Sequence, residues 1–186
     1  MSAVSSSDGI IIRGTELYLW LHRENYLELS RQELVAPLSA LVARIGSNGI
    51  QDLLKGVDWR IRIVGLHCLL IRRELPFLKE VLAEYFDPKF FFIRRQILMV
   101  CASLNFGAAR SLVSRRLSMV VEDDSIAEYA GLLELASQLR VNGTGVFEKK
   151  LSRQIEIDGL ELVDLHTSRE RFRRAVQYWS EPSDTA

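Results

Sequence analysis

The chain holds three histidines, His22, His67 and His166, and two cysteines, Cys68 and Cys101. These side chains are the ones best suited to metal ligation, general-base work or thiolate chemistry, and their placement argues against all three. Two histidines four residues apart bring both imidazoles to one helical face, where a zinc ion can be held. Here the gaps are 45 and 99 residues, and no histidine has a glutamate beside it. His67, between Leu66 and Cys68, falls in an apolar run and reads as a hydrogen-bonded packing residue. Both cysteines lie in runs of the same kind, away from the cationic, exposed settings that lower a thiol pKa. Asn142-Gly143-Thr144-Gly145 is too short and isolated to be a phosphate cradle and reads as a turn. The expectation is a protein with no metal, no cofactor and no catalytic activity.

Arginine and lysine carry the chemistry that remains, which is recognition of anions. Four dibasic pairs occur, Arg72-Arg73, Arg94-Arg95, Arg115-Arg116 and Arg173-Arg174. Neighbours on a helix point about 100° apart, so one member of each pair is expected to face solvent. On the helix predicted after Gly107, Leu112, Val113 and Leu117 mark the inner side and leave Arg110, Ser114 and Arg115 outside. The same reading puts Lys79 outside Leu78, Val81, Leu82 and Tyr85, and puts Lys149 and Arg153 outside Phe147, Leu151 and Ile155. Lys79, Arg110, Arg115, Lys149 and Arg153 thus form a candidate basic track for a partner. Net charge is zero, yet residues 1–54 carry −2, residues 55–120 carry +7 and residues 121–186 carry −5. A basic middle and an acidic end can steer a charged partner or neutralise each other within the fold. Glu122-Asp123-Asp124, or Asp158, Glu161 and Asp164, offer an acidic docking surface as the alternative.

These side chains need a scaffold, and composition bounds it. A chain of 186 residues, 48% hydrophobic and 26% charged, can bury one substantial core without disulfides or metals. No uncharged apolar run reaches the length needed to span a bilayer. Met1 to Gly9 is Ser-rich and lacks a basic segment followed by an apolar one, so no secretory signal is expected. The expected compartment is the cytoplasm, where both cysteines stay reduced.

The apolar pattern is helical almost throughout. After a lead-in over residues 1–13, in which Ile10-Ile11-Ile12 can dock on the first helix, a helical cap is predicted over 14–56. It comprises a helix from Thr15 to Leu29, a capping box at Ser30-Arg31-Gln32-Glu33, a helix through Leu34 and Ile45 with Pro37 in its first turn, and a short segment Ile50 to Lys55 after the break at Gly46–Gly49. Residues 57–155 then read as three helical hairpins. Cys68 and Cys101 are thirty-three positions apart, and Ala102-Ser103 and Ala136-Ser137 thirty-four, a period typical of stacked hairpins. Asp58 caps the first helix, Asp87-Pro88 makes the next turn, and Ser125 to Glu128 forms a capping box for a helix ending at Arg140. Val146 to Ile155 is the third return helix. Residues 156–166 read as a strand-like or irregular seal, and Thr167-Ser168-Arg169-Glu170 as a capping box opening the last helix of a cap over 156–180, with a tail at 181–186. Trp20 and Trp59 are expected within the stack, Tyr178-Trp179 at its end, and the rings of Phe90-Phe91-Phe92 mainly in the core.

Asp58-Trp59-Arg60-Ile61-Arg62, Pro76-Phe77-Leu78-Lys79-Glu80-Val81-Leu82 and Asp87-Pro88 with Ile93-Arg94-Arg95 resemble consecutive HEAT-like repeats, best over residues 57–120. In the third unit Glu128-Tyr129 stands where the aliphatic-arginine pair would be. The resemblance implies an all-α fold, a HEAT-like α-α superhelix of stacked antiparallel hairpins, with Arg62 and Arg94 bridging to aspartates such as Asp58 and Asp87 and with the return helices lining a concave face. In size and style the whole chain is similar to small bacterial HEAT-like proteins of immunity type. The function expected is therefore that of a non-enzymatic protein-binding module, an intracellular inhibitor or immunity protein that acts by occlusion. The alternative is a nucleic-acid-binding HEAT-like protein that uses the basic middle segment.

Overall fold

A helix that is apolar on every side has no face to give to water, so it must lie at the centre of whatever it packs in. Two segments meet that description, Ile63 to Leu70 and Ile97 to Ala102, and both are buried along their whole length. The computed structural model describes residues 17–118, 126–141, 144–145, 148–149, 153 and 162–181. These residues are almost entirely helical, and no strand occurs among them. They fall into two compact units that divide between Phe77 and Leu78.

In the first unit, residues 17–21 are α-helical and His22–Glu28 continues as a 3-10 helix, where the sequence reading has one α-helix to Leu29. Glu24 sits there in the left-handed region at φ 55°, a conformation that interrupts regular helix. Helix α1, Arg31–Lys55, follows. Its capping box forms as the sequence predicts: the Glu33 amide donates to Ser30 Oγ at 3.3 Å and the Ser30 amide donates to Glu33 Oε2 at 2.8 Å. Gly46, at φ 60° and ψ −171°, puts a kink where the sequence reading ends one helix and begins another. Only glycine adopts that conformation without strain. Pro37 lies in the second turn of α1, one turn later than expected, on an exposed side where water can satisfy the carbonyl it leaves unbonded. Helix α2, Trp59–Arg72, packs on α1 and ends at Arg73 in the left-handed conformation. A polar clasp joins the two helices, because Ser47 Oγ donates to Glu74 Oε1 at 2.6 Å and Arg72 Nε donates to the same oxygen at 2.9 Å.

The second unit contains α3, Leu78–Tyr85, α4, Arg94–Leu104, α5, Phe106–Ser118, α6, Ile126–Gln138, and α7, Leu162–Ser180. Short 3-10 turns, Leu75–Phe77 and Pro88–Ile93, replace the helical starts expected at Phe77 and Phe90. Helix α4 packs against α3, α5, α6 and α7 and is the hub of the unit. Both members of Arg94-Arg95 are buried, against the expectation that one faces solvent. The α4 hub has no solvent face, so each guanidinium is answered from another helix. Helix α7 begins at Leu162, so residues 162–166 are helix where a strand-like or irregular segment is expected, and Thr167 to Glu170 lies inside a helix. Ser168 is engaged from outside its own helix: its Oγ and carbonyl accept from Arg95 Nη1 and Nη2 at 3.3 and 3.0 Å.

The lead-in over residues 1–13, Ser125, the triad Glu122-Asp123-Asp124, residues 156–161 including Asp158 and Glu161, most of the segment Val146 to Ile155, and the tail beyond Glu181 lie outside the described residues. Tyr18 packs edge-on against Trp59 at 5.2 Å, and Trp59 is half-buried at the start of α2. Trp20 is 48% exposed and does not sit in a stack, because its neighbours on the inner side, Tyr18 and Leu21, take the buried positions. Phe91 is also exposed, whereas Trp179 is buried.

Helices α6 and α7 are in close contact at Gly131, where an added Cβ would stand 2.9 Å from the buried Phe172 ring. Helix propensity alone favours alanine over glycine by about 1 kcal/mol, but the ring cannot move without repacking α7, at a cost of about 1–3 kcal/mol. Gly131→Ala is therefore expected to lower the urea unfolding midpoint, and a raised midpoint would show that the approach is loose.

Candidate partner-binding surfaces

All five residues of the basic track are exposed: Lys79 on α3, Arg110 and Arg115 on α5, and Lys149 and Arg153 in helical residues further on. Their placement on the helices is less regular than one stripe. Arg110 and Arg115 are five residues apart, so they stand about 140° apart around α5. Between them the exposed face of the helix carries Ser111, Ser114 and Ser118. The face is thus a strip of hydroxyls with one guanidinium on each flank. Arg115 lies over the Phe86 ring at 4.0 Å, which fixes it at the C-terminal end of α3. Lys79 stands at the other end of that helix, about 10 Å along the axis. No described contact joins Lys149 or Arg153 to these residues.

The neighbouring arginine of the pair, Arg116, is buried and serves the interior. Its Nε donates to Glu128 Oε1 at 3.2 Å, the Tyr85 hydroxyl donates to the same oxygen at 2.6 Å, and Arg94 Nη1 lies 3.6 Å from Glu128 Oε2. Arg94 thus meets a glutamate of α6, and Arg62 Nε donates to the Gly56 carbonyl at 2.6 Å. Asp58 and Asp87 each accept at 2.9 Å from the amide two residues on, Arg60 and Lys89. Burial, followed by the Glu128 carboxylate, pushes the Tyr85 hydroxyl well above its ordinary pKa, so it stays a proton donor. Glu128, read from sequence as half of a capping box, is the electrostatic centre of the second unit.

Glu134, also on α6, faces α7. Arg173 donates to it from Nε and Nη2 at 2.8 and 3.1 Å, Arg169 from Nε at 3.4 Å and Gln138 at 3.0 Å. Burial alone would raise the Glu134 pKa, but the hydrogen bonds from Arg173 and Gln138 and the two positive charges outweigh it and hold the carboxyl below the ordinary value.

A feature absent from the sequence reading lies on the first unit. A groove of about 500 Å³ runs beside α1, lined by Leu17, Trp20, Leu29, Leu34, Pro37 and Leu41, with Glu33 and Arg44 also in its wall. Its signal in the sequence is faint, because Trp20 and Leu17 share helical spacing with residues that are buried.

The chain matches no family model, no curated protein and no solved structure. Burial pushes both thiols, Cys68 and Cys101, up to about 12, which removes their nucleophilicity near neutral pH. His67 is fully buried, with Nδ1 2.8 Å from the Ile63 carbonyl and its ring edge-on to Tyr26. A carbonyl only accepts, so Nδ1 carries the proton. Among the described residues no group of His, Cys, Asp and Glu is placed to hold a metal ion, and no helix is long and apolar enough to cross a membrane.

Burial lowers the His67 pKa from 6.5 to about 4. The unfolded chain therefore takes up this proton first as pH falls, so the stability contribution is complete above the ordinary value and shrinks between 6.5 and about 4. From about pH 7.5 to about pH 5 the loss attributable to this group is about 2 kcal/mol. Urea unfolding at the two pH values should show that loss in the native chain and a smaller one in His67→Gln. Equal losses in both would place the acid sensitivity elsewhere.

Proposed function

We propose that the chain is a non-enzymatic protein-binding module that meets an acidic surface of its partner through the exposed face of α5. The observation that carries this reading is the pair Arg110 and Arg115 flanking Ser111, Ser114 and Ser118, with Arg115 held in place over Phe86. An arginine already ordered on an aromatic ring loses less side-chain freedom on binding, and arginine is enriched among residues that dominate interface energy. Lys79, Lys149 and Arg153 extend the same basic character over the second unit.

Two features favour a protein over a phosphate backbone. Exposed carboxylates stand beside the cations, Glu80 next to Lys79 and Glu148 next to Lys149, and a nucleic acid would be repelled where a protein surface can match the alternation. The isoelectric point near 6.8 points the same way. The HEAT-like α-α superhelix belongs to this proposal as its finer architecture. It is supported by the matched placement of Arg62 and Arg94, each near the start of a buried helix and each following an aspartate-capped turn. The mode of action in this proposal is occlusion, as an intracellular inhibitor or immunity-type protein would act in the cytoplasm.

Arg110→Glu with Arg115→Glu tests the reading. Both side chains are exposed, so helical content and melting temperature should be unchanged. The doubly reversed chain should retain none of a stoichiometric protein partner captured from nuclease-treated host lysate by the native chain. Equal recovery by both would remove the α5 face from the site. Capture of nucleic acid alone, lost with nuclease and falling steeply with salt, would favour the nucleic-acid reading.

A further inference from the structure

The groove on the first unit has a wall whose pattern specifies what can cover it. Glu33, Pro37, Ala40 and Arg44 succeed one another on α1 at intervals of four, three and four residues, all exposed. That spacing averages close to one helical turn, so the four form a ridge nearly parallel to the axis, about 16 Å long. Leu34 and Leu41, both buried, lie beneath it, and Trp20, 48% exposed, stands opposite on the residues that precede α1. Leu19, next to Trp20, is 63% exposed. Large apolar side chains clustered at the rim of an open groove are a marker of an interface.

The ridge is acidic at one end, basic at the other and small in the middle. Glu33 already accepts from the Ser30 amide through Oε2, which leaves lone pairs on its other oxygen for a second donor. Arg44 has no described partner and is exposed. A ridge of this kind complements itself when reversed: rotation about a two-fold axis between Pro37 and Ala40 sets Glu33 against Arg44 of a second copy, and Arg44 against Glu33, at both ends together. Pro37 and Ala40 fall at the crossing point, where short side chains let two helices approach. The kink at Gly46 interrupts α1 just beyond Arg44, so the straight, self-complementary stretch ends where the pairing ends.

We propose that this face binds a second copy of the chain, α1 against α1 in antiparallel sense, with Trp20 of each copy closing over the other's ridge. A two-fold interface requires one patch that complements itself, and the Glu33-to-Arg44 ridge meets that requirement.

Sedimentation equilibrium of the full chain tests it. The native chain should show twice the monomer mass of 21.2 kDa at micromolar concentration. Ala40→Arg, at an exposed position, should leave helical content intact and raise the dimer dissociation constant by at least about tenfold through steric and charge conflict at the crossing point. Arg44→Glu should weaken the dimer similarly, by opposing Glu33 of the other copy, and Arg44→Lys, which keeps the charge, should leave it intact. A native chain that stays monomeric would overturn the proposal and leave the groove to a different partner. So would a dimer indifferent to Ala40→Arg or to Arg44→Glu.

Discussion

One buried carboxylate sets the terms for the second unit. Glu128 is 1% exposed and receives the Tyr85 hydroxyl from α3, the Arg116 guanidinium from α5 and the Arg94 guanidinium from α4. A lone ion in that setting costs several kcal/mol, and the cost is offset only when charges and hydrogen bonds are placed together. The four helices must therefore close around the same point, and a register shift in any of them would strand a charge. Glu134, six residues on, stands about 120° around α6 and binds α7 through Arg169 and Arg173. Helix α6 thus uses two carboxylates on different sides to hold the rest of the unit.

This arrangement also explains where the charge imbalance goes. The basic excess of residues 55–120 is partly internal: Arg94 and Arg116 meet Glu128 from the acidic third of the chain, and Arg95 meets Ser168 and lies over the Phe172 ring at 5.1 Å. Outside remain Arg110 and Arg115 on α5 and Lys79 on α3, together with Lys55, Arg60, Arg72, Arg73 and Lys89. The adjacent pair Arg115-Arg116 divides the two roles, one residue held outward on Phe86 and the other spent on the core.

The features legible in the sequence are those whose cause is local. The Ser30–Glu33 capping box, the aspartate turns at Asp58 and Asp87 and the outward side of α5 each follow from residues three or four apart. The burial of His67, Cys68 and Cys101 was equally legible from the apolar runs around them. What escaped depends on distant partners. Tyr85 and Glu128 are 43 residues apart and Arg95 and Ser168 are 73 apart, and nothing local says that these groups will meet. For that reason Arg94 and Arg95 looked half solvated and Thr167 to Glu170 looked like a helix start. Trp20 escaped for the opposite reason, since its helical spacing resembles a core position while Tyr18 and Leu21 fill the core instead.

The claim that Glu128 is the closing point of the second unit is tested most directly by a double-mutant cycle in urea unfolding on Glu128→Leu and Arg116→Leu. Removing the carboxylate leaves buried guanidiniums uncompensated, so Glu128→Leu alone should cost about 3–5 kcal/mol. The pair together should cost less than the sum of the two single losses by about 1–3 kcal/mol. Strict additivity, or a Glu128→Leu chain as stable as the native one, would contradict the account.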